Sequence, residues 1–387
     1  MTKNEKISQA IIKTKERRKG MTCRVFGVKV IDSKLSREKR KHIESLYIEA
    51  NWLRNAVVSS DDVFTFDRSV KEVSVKTGES YEMRSFDVLS AQMKQDIVDS
   101  VKSETKTLAT VKSNGGHAGK LKEKSCCNSI PLRQYNQTYR IDFNDSTITI
   151  QGLRSPIKVR GLSQIPKEAE LANAKLVRKP SGLYFHITTY CIKECKEDNN
   201  TSIGIDFGIK SNLTLTTGEE INVSVPETGA VKRCSLAVNK GYIKNGKYKG
   251  MNHRKRVHKL QIAYEKQTRK KKDIVNKTLS KLLENSFIGI QNELIAGWHS
   301  GIFGKQVHNS AMGLIKARLK NIQKVFVVPS SFPSTQICPT CKRCTPHPLN
   351  TRHYECAYCG YYHPSRDIKS AEMILKEALR ISTNSES

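Results

Sequence analysis

The sequence predicts a multidomain α+β protein: a small β-barrel interrupted by a helical insert, then an α/β domain that carries a zinc-type ribbon. Three observations lead there. From Thr138 the pattern changes from long apolar-periodic helices to short β-branched strands. At Ile203 a strand with an acid among apolar neighbours, Ile203-Gly-Ile-Asp-Phe-Gly, opens a second α/β pattern. Late in the chain two CxxC pairs, Cys338/Cys341 and Cys356/Cys359, stand fourteen residues apart, the sequence form of a closed tetrahedral Zn²⁺ site.

Composition narrows the function. The 387 residues carry 67 Lys and Arg against 37 Asp and Glu, a net +30. That excess points to a polyanion partner, with nucleic acid the default. No apolar run approaches the ~18 residues a membrane span needs, so a membrane role is not expected. Residues 1–20 are basic and polar without a secretory h-region and read as a flexible lead-in. The cysteines cluster as CxxC in a Lys-rich chain, which suggests a reducing compartment, cytosolic or nuclear. Cys23, Cys126, Cys127, Cys191, Cys195 and Cys234 share no ligand spacing and read as ordinary thiols.

Taken in order, Arg24–Ile31 reads as a strand, and Ser36 opens a helix with Ile43, Leu46, Tyr47, Ala50 and Leu53 at helical spacing. Residues 59–80 are turn-rich, Leu89–Val111 is helical, and Lys112–Glu123 is a basic Gly-containing loop without phosphate-loop order. Strands follow at 139–143, 147–151, 157–160 and 183–190. The expected division is therefore a lead-in (1–20), a barrel (21–35 with 136–200), a helical lobe (36–135), an α/β core (201–333 with 361–387) and a ribbon (334–360). Within the core come a hairpin over 203–223, a Lys/Gly/Tyr loop at 239–250, a basic amphipathic helix over 251–285, a buried strand at 287–290, a helix near 310–321, a strand at 325–328 and a final helix after Asp367.

Three acids hold comparable positions: Asp206 in a strand, Glu293 just past a strand, and Asp367 at a helix start. A lone acid of this kind is more often a cap or turn residue than a ligand. Three converging carboxylates, however, repel one another unless cations sit between them, which is the donor set of a two-Mg²⁺ phosphodiesterase site. Gln291 stands where a simple strand-end alignment would place the second acid. In the ribbon, Cys344 forms another CxxC with Cys341, and His347, His353 and His363 are near, so the spare thiol could replace a ligand; Cys338, Cys341, Cys356 and Cys359 are preferred because each pair then occupies its own turn. Trp52, Tyr242, Tyr248, Trp298, Tyr358, Tyr361 and Tyr362 could stack on bases or simply pack.

These residues carry a resemblance. Ile203–Lys210 resembles the first motif of the RuvC-like nuclease core of TnpB/OrfB proteins from insertion sequences, relatives of miniature type V CRISPR effectors. Ile288-Gly-Ile-Gln-Asn-Glu-Leu-Ile-Ala-Gly-Trp298 is similar to the second motif and favours Glu293 over Gln291. Ser334–Cys341, Tyr354–Gly360 and Arg366–Ala371 resemble the zinc ribbon and third motif, with Lys369-Ser370 replacing the usual Asn-Ala. The likeness covers 200–380 and is looser over 20–200, where Ser181–Ile187 looks like a barrel strand. It implies an RNase H-like core with an inserted ribbon. It also implies an RNA-guided, Mg²⁺-dependent DNA endonuclease with two Mg²⁺ at Asp206, Glu293 and Asp367, one structural Zn²⁺, a guide RNA and a DNA target, and a monomer in preference to an RNA-bound homodimer. Base pairing would read sequence while Lys and Arg grip the backbone. The alternatives are a guide-dependent DNA-binding regulator that no longer cuts, and a zinc-ribbon DNA-binding protein without RNA.

Overall fold

A computed structural model describes residues 3–192, 199–240, 250–348 and 350–385. Cys195, Tyr242, Tyr248 and most of the 239–250 loop lie outside the described residues. The chain divides into two compact units, Met1–Glu194 and Cys195–Ser387.

The first unit begins with helix α1 (Lys3–Lys19) where a flexible lead-in was expected. No Gly or Pro interrupts that run, and Arg17 and Arg18 both bond Glu170, at 2.8 and 2.6 Å. Strand β1 (Met21–Val30), helix α2 (Arg37–Val58), the hairpin β2 (Glu72–Thr77)–β3 (Ser80–Ser85) and helix α3 (Ala91–Ser113) follow. Ser36 and Ser90 cap the two long helices by accepting from Lys39 and Met93 N–H. Then come β4 (Ser129–Leu132), β5 (Tyr139–Asp142), β6 (Thr147–Ile150), β7 (Ile157–Arg160), β8 (Glu170–Lys179) and β9 (Gly182–Ile192).

Seven strands form one sheet in the order β4-β8-β9-β1-β7-β6-β5, all antiparallel. Its two edges approach each other. Tyr135, just after β4, bridges Tyr139 of β5, and the Tyr139 hydroxyl donates to the Ala172 carbonyl of β8 at 2.7 Å. The result is a nearly closed sheet. Two of its strands were not expected. β4 contains Pro131, which an edge strand tolerates because it needs no inward N–H there, and β8 lacks clean alternation and carries a bulge between Leu171 and Ala174. The apolar faces of α2 and α3 share one core with the inner face of this sheet.

The second unit is an α/β layer. Its elements are β10 (Asn199–Phe207), β11 (Leu213–Leu215), β12 (Glu220–Ile221), α4 (Gly229–Asn239), α5 (Gly250–Leu282), β13 (Asn285–Gln291), α6 (Gly304–His308), α7 (Met312–Leu319), β14 (Val325–Val328), a small β15 (Tyr354–Glu355)–β16 (Tyr362–His363) pair, and α8 (Arg366–Ser385). The sheet order is β12-β11-β10-β13-β14, with β10, β13 and β14 parallel and the β10–β11–β12 meander antiparallel. The carboxyl halves of the strands β10 and β13, from Ile203 and from Ile288, are buried on both faces, as their Ile-rich runs require.

Helix α8 lies unusually close to this sheet. Gly204 and Gly289 are register partners on adjacent strands. A Cβ on Gly204 would stand 2.0 Å from the Ala371 carbonyl oxygen, and one on Gly289 would stand 2.9 Å from the Ala378 Cβ. The paired glycines make the groove in which the helix backbone rests. Gly204→Ala should therefore cost about 3 kcal/mol or more in chemical denaturation, because the obstacle is backbone rather than a movable side chain. Since residues two apart on a strand share a face, Asp206 and Gln291 also look toward α8.

Candidate active site and metal centre

The three acids named from the sequence line one cavity of about 960 Å³, together with Lys210, Trp298, Phe303, Arg352 and Arg366. Asp206 comes from the carboxyl end of β10, Glu293 from two residues past β13, and Asp367 from the first turn of α8. In that turn the helix dipole favours a negative charge. The three acids thus reach the same space from three separate elements.

The environments differ. Asp206 is 7% exposed. Burial, and then the negative charges of Glu293 and Asp367, push its carboxyl well above the usual range against the opposing Ser370 hydrogen bond and Arg366. Burial raises Glu293 to about 7, against the pull of Lys316. The Lys316 ammonium donates to the Glu293 carbonyl at 2.8 Å and stands 3.9 Å from Oε2. Desolvation in turn brings Lys316 down to about 8. Asp367 is more accessible than Asp206, with Arg352 3.5 Å from Oδ2 and Arg366 3.8 Å from Oδ1.

Two features suit a hard cation at this place. Glu293 Oε2 is buried and accepts no hydrogen bond, and Asp206 Oδ2 has no protein donor among the described residues. Acceptor-only oxygens left over in a buried acidic site are the donors that Mg²⁺ takes. Gln291 has a different task. Its Nε2 donates to the Phe332 carbonyl at 2.6 Å, with the Pro329 and Ser330 carbonyls at 3.3 and 3.4 Å, and its Oε1 accepts from Ser334 at 2.8 Å. It ties down the chain after β14 and does not face the cavity.

The raised Glu293 gives a test without nucleic acid. A carboxyl at about 7 when folded and 4.5 otherwise binds more protons in the folded state between those values. Stability is therefore lost as pH climbs from about 4.5 to about 7 and stays lost above. Without added divalent cation, Glu293→Gln should match wild type near pH 4.5. It should be more stable by up to about 3 kcal/mol near pH 8, at 1.36 kcal/mol per pKa unit, a figure already net of the attraction to Lys316. Thermal unfolding across that range checks it, and added Mg²⁺ should reverse the order.

The second centre is the cysteine cluster. The Sγ atoms of Cys338, Cys341, Cys356 and Cys359 all lie within 4.8 Å of one another, and these four residues could hold a zinc ion. Cys338–Cys359 and Cys341–Cys356 are each 3.5 Å apart, near the roughly 3.8 Å edge of a Zn–S tetrahedron. Desolvation pushes the Cys356 thiol up, but the N–H groups of Tyr358 and Cys359 and the Cys341 and Thr345 side chains bring it down to about 5, favouring the thiolate a metal requires. Cys344 is exposed and outside the cluster.

Sequence reasoning missed the polar groups between the two centres. Ser370 and Lys369 of α8 are both fully buried. Ser370 Oγ donates to Asp206 Oδ1 at 3.0 Å. Lys369 Nζ donates to the Ser334 carbonyl at 3.1 Å and lies 3.8 Å from the centroid of the Tyr354 ring. The only sequence signal was the departure at 369–370 from the pattern the chain otherwise resembles.

Among the described residues no helix is long and apolar enough to cross a membrane. No protein-family model matches the chain. A curated protein of Streptomyces pristinaespiralis, named "Putative RNA-guided DNA endonuclease", is 25% identical over 255 residues, which cover 62% of this chain and 61% of that protein. The chain thus spans less than two thirds of that relative's length, and the likeness is a distant one.

Proposed function

We propose that the chain is an RNA-guided, Mg²⁺-dependent DNA endonuclease of the TnpB type, with an RNase H-like core and an inserted zinc ribbon. The observation that carries this reading is the convergence of Asp206, Glu293 and Asp367 on one cavity, where the buried Glu293 Oε2 has no hydrogen-bond donor. The name of the Streptomyces relative supports the choice of substrate and guide. Divalent cations bound there would activate a water and neutralise charge on the scissile phosphate. The chain's own groups do the rest. Asp206, Glu293 and Asp367 bind the cations, Lys316 balances charge behind Glu293, and Arg352, Arg366 and Lys210 offer donors to phosphate oxygens. Helix α5 supplies a row of exposed bases, Arg254, Lys255, Arg256, Lys259, Lys266, Arg269 and Lys270, for a nucleic-acid backbone. A cytosolic monomer bound to one guide is the form this reading expects.

Expression of the gene with its flanking DNA, purification and sequencing of bound RNA test it. A discrete RNA, and Mg²⁺-dependent cutting of a DNA matching it, are expected. Absence of any discrete RNA overturns the guided reading, and binding without cutting overturns the nuclease.

A further inference from the structure

Between the two centres runs a chain of hydrogen bonds whose direction can be worked out. Gln291 presents one end of its amide to three backbone carbonyls, of Pro329, Ser330 and Phe332. Only the NH₂ end can satisfy carbonyls, so Oε1 faces Ser334. The Ser334 hydroxyl proton is thereby committed to Gln291, at 2.8 Å. Ser370 Oγ lies 3.0 Å from both Ser334 Oγ and Asp206 Oδ1. A serine has one proton to donate, and Ser334 has none left to offer in return. Cation binding requires Asp206 in its ionised form, and against that carboxylate the charge-assisted bond is about twice as strong as the bond to a neutral hydroxyl. The Ser370 proton therefore goes to Asp206. Both serines are buried, so water does not compete. Lys369, bonded to the Ser334 carbonyl, holds that turn against α8.

We propose that Ser370 is a positioning residue for Asp206: its hydroxyl fixes Oδ1 and so orients the carboxylate to offer Oδ2 to a divalent cation. This rests on the reading of Asp206 as a cation ligand. The competing account is that Ser370 is merely a small residue suited to the close contact of α8 with Gly204. In that case the hydroxyl is dispensable for cations.

The test is Mn²⁺ binding to the full-length, zinc-loaded protein without nucleic acid, followed by electron paramagnetic resonance of free Mn²⁺. Ser370→Ala should weaken binding about tenfold, the usual cost of losing an outer-shell partner. Ser334→Ala disturbs the same network, removing the donor to Gln291 and the acceptor beside Ser370 but no donor to Asp206, so it should bind Mn²⁺ no more weakly than wild type. Should Ser370→Ala fail to fold, Ser370→Cys keeps the size, offers a poorer donor and carries the same expectation. Wild-type affinity in the folded Ser370 variant, or equal weakening in both serine variants, overturns the proposal. Asp206→Asn separates the two levels. If it too binds Mn²⁺ like wild type, the cation-site reading falls; if it alone loses binding, only the role of Ser370 falls.

Discussion

Asp206→Ala should reduce Mg²⁺-dependent cleavage of guide-matched DNA by about a thousandfold or more, while bound RNA and the folded state are retained. Asp206 is the most buried of the three acids and the one whose carboxyl the other two repel. Without cations its charge is a liability, so the variant's metal-free melting point should equal or exceed that of wild type. Loss of cleavage then cannot be put down to unfolding. Gly204→Ala, two residues away on the same face, is the useful contrast, because it should lose stability first and activity with it. Asp367→Asn should fall between, since Asp367 is more accessible and its Arg352 and Arg366 neighbours remain. Single-turnover cleavage of labelled DNA by the purified ribonucleoprotein measures all three. Undiminished cutting by Asp206→Ala would remove this residue from the chemistry.

Much of this arrangement could be read from the sequence, for reasons of period. The Ile203–Phe207 run is a strand buried on both faces with one acid in it, and no solvent-facing alternation disguises it. The two CxxC pairs needed only their spacing, and the four sulfurs do cluster. Strand alternation alone could not decide between Gln291 and Glu293. Gln291 keeps the strand phase and faces α8, whereas Glu293 lies past the strand where phase no longer applies. The decision depends on three carbonyls from residues 329–332, nearly forty positions away. Ser370 and Lys369 were illegible for the same reason. A buried lysine in an amphipathic helix looks like an error of pattern until a ring from the ribbon and a carbonyl from a third segment appear beside it. In the first unit, β4 and β8 escaped because a proline and a bulge break the period that identifies strands, and barrel-like closure supplied what local propensity did not.

Cys356→Ser should lose the bound zinc and, with it, the fold of residues 334–366. The ribbon's apolar core is Cys338, Tyr354 and Cys356, with Cys341 and Tyr361 packed against it. So few side chains cannot hold a segment of this length without a metal crosslink. Mass spectrometry should find about one zinc per wild-type chain and almost none in the variant. Cys344→Ser should keep the metal, because that thiol is exposed and outside the cluster. The damage should not stop at the ribbon. Tyr354 donates to the Gln336 carbonyl at 3.0 Å and carries Lys369 against its ring, while Arg366 donates to the Pro348 carbonyl at 3.0 Å. These contacts fix the first turn of α8, which presents both Asp367 and Ser370. Loss of zinc should therefore lower cleavage at least tenfold and open the 334–366 segment to limited proteolysis, while the rest of the second unit stays resistant. A Cys356→Ser protein that keeps stoichiometric zinc would refute the ligand set. One that loses zinc yet cuts normally would show that α8 holds its first turn without the ribbon.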